Sequence, residues 1–150
     1  MKQCYDWENN ILKFSDVNDN CYELRFKGNK TIVSGQSATG KTLICNVLRD
    51  YIEDYNVIKP YNTDNIFIVS RDNKYKIETQ EKKLIIIDRA ELLLDEKTVD
   101  FINSDRGMNR YLIFLRKPMG IEVSPNYYAD LINDNGTIRL KYQFDVKGWA

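Results

Sequence analysis

The sequence predicts an α/β domain, and three observations predict it. Residues 43–55 carry one apolar stripe, Leu43, Ile44, Val47, Leu48, Tyr51, Ile52 and Tyr55, at the 3.6-residue period. Arg49, Asp50, Glu53 and Asp54 fall outside that stripe, so the segment reads as an amphipathic helix. Residues 66–69, 84–87 and 111–115 are continuous apolar runs of strand length. Runs without alternation suit a parallel sheet covered by helices on both faces, a three-layer αβα arrangement.

In chain order, residues 11–14 and 21–26 read as two strands across a polar turn, an N-terminal β-hairpin. Lys27-Gly28-Asn29-Lys30 makes a second turn, and residues 31–34 form a short buried strand. A glycine-bounded loop, 35–40, leads into the amphipathic helix. The apolar runs 66–69 and 84–87 follow, then helical segments at 89–94 and 96–104, then the run 111–115. Asn135-Gly136 marks a turn. Ile138, Leu140, Tyr142 and Phe144 alternate beyond it as an added C-terminal strand. With only three prolines and no repeat or linker, residues 1–150 read as one domain without a lid.

Composition narrows the chemistry. Lys plus Arg number 22 and Asp plus Glu number 22, so bulk charge does not drive the chain onto DNA or an anionic membrane. Nucleic-acid binding through a local site or an assembly stays open but has no motif behind it. The chain has no histidine, which removes Ser-His-Asp catalysis and histidine-ligated zinc. Cys4, Cys21 and Cys45 make no metal or redox spacing. Without an apolar leader or a membrane-length run, the expected compartment is the cytoplasm.

One motif carries chemistry. Gly35-Gln36-Ser37-Ala38-Thr39-Gly40-Lys41-Thr42 fits G-x-x-x-x-G-K-[ST], with a strand before it and a helix after it. Glycines let backbone N–H groups curl around phosphate oxygens, and the helix directs its positive end at the same point. Lys41 would supply a mobile cation to the β- and γ-phosphates, and Thr42 a hydroxyl to Mg²⁺. Magnesium keeps several waters and asks for a nearby carboxylate. Asp88, directly after the run 84–87, is the candidate; its other reading is an N-cap for the next helix.

The two motifs together resemble the P-loop NTPase superfamily, with Gly35–Thr42 as Walker A and Asp88 as Walker B. The strand between them is similar to the additional-strand division, which includes AAA+ ATPases, ABC ATPases and RecA-like motors. The resemblance implies a P-loop NTPase fold with a mostly parallel sheet, and Mg-ATP binding by residues 35–42 and Asp88. It also implies a glutamate beside the metal-site aspartate, where this chain has Arg89; Glu91, one turn onward, is the substitute, with a helix-surface role as its alternative. The polar residue expected after the next strand is Arg116, which would sense the γ-phosphate.

Arg106 and Arg110 are further arginine-finger candidates. Tyr5, Trp7 and Tyr22 are candidates for stacking on adenine, or else core aromatics. No Asn-Lys-x-Asp guanine motif is present, so ATP is expected over GTP. The expected function is a minimal AAA-like ATPase or ATP-driven switch, acting through self-assembly or a protein partner. A small-molecule kinase and a non-hydrolysing nucleotide-binding adaptor are the alternatives.

Overall fold

The structure is a computed structural model that describes residues 2–34, 41–53 and 61–144. In chain order the elements are β1 (Lys2–Gln3), β2 (Tyr5–Asp6), β3 (Ile11–Ser15), β4 (Cys21–Arg25), β5 (Lys30–Ser34), α1 (Lys41–Glu53), β6 (Tyr61–Asn62) and β7 (Ile66–Ile68). A 3-10 helix (Lys74–Thr79) leads to β8 (Leu84–Ile87), α2 (Ala90–Leu93), α3 (Glu96–Ser104), β9 (Arg110–Leu115), β10 (Tyr128–Asp134) and β11 (Thr137–Tyr142).

Nine strands form one sheet in the order β2-β3-β4-β11-β10-β5-β9-β8-β7. From β10 to β7 every neighbour is parallel. The pairs β2–β3, β3–β4 and β10–β11 are antiparallel, and β4 joins β11 in parallel. The sheet is therefore mixed.

Its two edges also come together. Lys2 and Gln3 pair with Tyr61 and Asn62 just before β7, and the Cys4 amide donates to Asn62 O at 3.0 Å. Asn65 Nδ2 donates to Tyr5 O at 2.7 Å. Arg110, at the start of β9, stacks its guanidinium 3.9 Å from the Trp7 ring centroid and donates to Tyr5 Oη and Trp7 O. The outcome is a nearly closed, barrel-like sheet.

This corrects the expected architecture. Among the described residues strand exceeds helix, 37% against 26%, and the sheet is not the mostly parallel layer of a three-layer αβα P-loop NTPase fold. The physical reason lies in the hairpin half. Leu12, Phe14, Tyr22 and Leu24 alternate inward and fold over the same face that Ile66, Ile68, Leu84, Ile86, Leu112 and Phe114 present. Helix α1 joins this core through Ile44, Cys45, Leu48 and Tyr51. Strands thus cover much of a face that a second helical layer was expected to cover. The opposite face of β5, β8 and β9 buries Ile32, Ile85, Ile87 and Ile113 under Ile77 of the 3-10 helix, Ala90 and Ile102.

Individual elements sit close to their expected places. Helix α3 matches 96–104; Asp95 caps it by accepting from Thr98 N at 2.9 Å while the Thr98 hydroxyl answers to Asp95 N. The expected helix 89–94 shortens to one turn, because Arg89 takes a left-handed conformation, φ 54° and ψ 57°. Strand β10 had no counterpart in the sequence reading. The aromatics offered for adenine are committed elsewhere: Tyr5 and Tyr22 are fully buried in the core, and Trp7 packs on Arg110.

Candidate functional site

Parallel pairing sets which residues share an end of the sheet. Ser34 pairs with Leu115 and Ile113 pairs with Ile87, so β5, β9 and β8 finish side by side. With neighbouring strands about 4.8 Å apart, the ends of β5 and β8 lie about 10 Å from each other across β9. Asp88 follows β8, Arg116 follows β9, and α1 opens at Lys41 after the segment that leaves β5. Gly35, Gln36, Ser37, Ala38, Thr39 and Gly40 lie outside the described residues. Lys41 and Thr42 belong to the first turn of α1, and only their backbone is described.

Asp88 is half-buried, and among the described residues its carboxylate takes part in no hydrogen bond or ion pair. It does not cap α2: the N-cap residue is Arg89, with no side-chain cap bond. Its charge is felt in the first turns of α1. Burial pushes the Cys45 thiol up to about 12, and the Asp88 carboxylate adds to that rise. Cys45 is therefore a neutral thiol near pH 7 and no nucleophile. A half-buried carboxylate that, among the described residues, has no donor and whose charge reaches Cys45 of α1 is of the kind that suits Mg²⁺. That ion takes hard oxygen ligands and fills its remaining positions with water and phosphate oxygens. Among the described residues no group of three or more Cys, Asp or Glu side chains gathers as a self-sufficient metal cage.

Glu91 and Arg116 meet, though not as independent groups. The Arg116 backbone amide donates toward both Glu91 carboxylate oxygens, at 3.3 and 3.5 Å, and Arg89 Nε lies 3.9 Å from Oε1. Glu91 thus ties α2 to the end of β9, with its side chain only 11% exposed. The Arg116 side chain is exposed at the same edge.

The two finger candidates lie at the other end of β9. Arg110 is spent on Trp7 and Tyr5, and exposed Arg106 donates to Asn103 O at 3.2 Å. Sequence reasoning missed what surrounds them. Asp105 accepts from Gly107 N, Met108 N and Asn109 N at 2.8, 2.8 and 3.2 Å, and from Tyr111 Oη at 2.7 Å. The signal available was Asp105 two residues before a glycine, an Asx-turn pattern.

No protein-family model matches the chain, and no curated protein matches it. The mixed, nearly closed sheet overturns the resemblance to the P-loop NTPase superfamily, its AAA-like, additional-strand division included. No helix among the described residues is long and apolar enough to cross a membrane.

Proposed function

We propose that the chain binds a nucleoside triphosphate with Mg²⁺, ATP being the expected nucleotide, and acts as a slow ATPase or ATP-driven switch. The observation that carries the reading is the sequence Gly35–Thr42 between the end of β5 and the first turn of α1, with Asp88 at the same sheet end. In this reading the backbone amides of residues 35–40 and the Lys41 ammonium hold the phosphates, while Thr42 and Asp88 hold the metal. Bound magnesium would neutralise charge on the β- and γ-phosphates. Among the described residues no donor competes for Asp88.

The same geometry favours binding over fast turnover. Polarising a water asks for a carboxylate whose lone pairs are open to it. Glu91 instead accepts from the Arg116 amide and sits beside Arg89. A non-hydrolysing nucleotide switch is accordingly the second reading. Leu43 on α1 and Leu92 on α2 are exposed apolar side chains near this end, which supports a protein partner or a second copy completing the site.

Titration calorimetry with Mg·ATP tests the proposal. We expect saturable one-to-one binding, weakened at least about a hundredfold by Lys41→Ala through loss of a charge-assisted contact. Folded protein that takes up neither Mg·ATP nor Mg·GTP would refute it.

A further inference from the structure

The opposite end of the same strands holds charged groups that nucleotide binding leaves unused. Lys30, the first residue of β5, is 7% exposed. Among the described residues its ammonium makes neither an ion pair nor a hydrogen bond. Burial holds its pKa below the ordinary lysine range. Asp105 and Glu122 pull the other way and Arg106 adds to the depression.

Asp105 supplies counter-charge to Lys30 but no direct ion pair, because three backbone amides and the Tyr111 hydroxyl hold that carboxylate in place. Glu122 is exposed to water. A buried ammonium that, among the described residues, has no hydrogen-bond acceptor is costly, and an incoming anion that accepts from it would relieve that cost.

Lys30 lines a cavity of about 230 Å³ together with Asp105, Arg106, Glu122, Ser124 and Tyr127. One wall is built tightly: a Cβ on Gly28 would lie 2.9 Å from Tyr127 Cε1, so the ring rests directly on the backbone there. Asp105 and Arg106 also line a second cavity of about 370 Å³, whose other walls are Phe101, Ser104 and Met108. Met108, 54% exposed, gives this second cavity an apolar wall.

We propose that these adjoining cavities bind a small organic anion, its carboxylate between Lys30 and Arg106 and its hydrocarbon part against Phe101 and Met108. A few charged groups beside an apolar wall is the usual composition of a small-molecule site. The site stands apart from the nucleotide reading. Lys30 and Ser34 are the two ends of β5, which puts about 13 Å between them.

Octanoate, 1-octanol and inorganic phosphate are the probes, followed by calorimetry and by amide shifts of residues 101–124. Octanoate should bind one-to-one, at least about tenfold tighter than octanol or phosphate, because only it satisfies both cavities. Lys30→Met, which keeps the apolar stem, should weaken octanoate at least about tenfold, and Arg106→Gln about threefold, with Mg·ATP affinity unchanged in both. Equal affinity for octanoate and octanol, no octanoate binding, or binding by folded Lys30→Met protein at wild-type strength would each overturn the site. Arg106 is exposed, so Arg106→Gln protein will fold; unaltered octanoate affinity there overturns the proposal should Lys30→Met fail to fold.

Discussion

Asp88 and Asp105 stand at opposite ends of the parallel strands, and their surroundings could hardly differ more. Asp105 is buried and receives four donors, three from the backbone of the loop that enters β9 and one from Tyr111. Beside it Asn109 donates to Gln80 O and accepts from Lys83 N, at 2.9 and 3.0 Å, which locks that loop to the chain entering β8. Asp88 is half-buried and, among the described residues, receives no donor. A saturated carboxylate is a structural fastening, because its lone pairs are spent on holding backbone. A carboxylate held at a strand end without donors is free to meet a cation from outside. The contrast sets a carboxylate spent on its own loop against one whose lone pairs, among the described residues, are still on offer.

Removing each carboxylate breaks the comparison most directly. Asp105→Ala strands the Asn109 amide and the Tyr111 hydroxyl in the interior and frees the exposed loop at Gly107 and Met108, and should cost about 2–5 kcal/mol in urea unfolding, at about 1–3 kcal/mol for each buried unsatisfied group. Asp88→Ala should change stability by no more than about 0.5 kcal/mol, while Mg·ATP affinity falls about tenfold or more. Similar losses of stability from both variants would erase the distinction drawn above.

Asp16 sharpens the point with pH. Burial alone would raise its pKa, but donors from Asn20, Asn18 and Tyr22 outweigh burial and hold the carboxyl below the ordinary aspartate value. A lowered folded pKa stabilises the protein above the unfolded value of about 3.9, and that contribution disappears as pH falls through the folded value. Asp16→Asn should therefore cost about 1–3 kcal/mol near neutrality, with the deficit closing as pH falls below about 4. Thermal unfolding of both proteins across pH 2–7 would reveal a gap that fails to close.

The smallest effect lies at the open end. Arg89 adopts a left-handed conformation directly after Asp88, with φ 54°. For a residue with a Cβ this costs roughly 1–2 kcal/mol. Arg89→Gly should stabilise the fold by up to about 1 kcal/mol, offset slightly by loss of the Glu91 contact. If nucleotide binding also depends on this turn, affinity will fall as stability rises.

Much of the local structure could be read from the sequence. Helical periodicity located α1, and the pattern Asp95-x-x-Thr98 opens α3. Apolar runs located β7, β8 and β9, since strands buried on both faces show no alternation. Strand β10 escaped because Tyr-Ala-Asp-Leu-Ile-Asn-Asp mixes residues that strands usually avoid; partners on both sides decide its state. The near-closure of the sheet was equally hidden. It depends on contacts such as Lys2 with Tyr61 and Arg110 with Trp7, which no periodicity encodes. Asp88 and Arg116 follow β8 and β9, and Glu91 lies on α2 between them. Their partners were not legible, because the Glu91–Arg116 bond spans 25 residues of chain.

The ladder between β4 and β11 carries a consequence for how the molecule comes into being. Cys21 lies beside Thr137, so the β3–β4 hairpin keeps one flank bare until residues 137–142 have been made. Contacts across such distances in sequence form slowly. Over that interval the newborn chain shows an unprotected row of amides and carbonyls to every neighbour, a condition in which crowding favours aggregation.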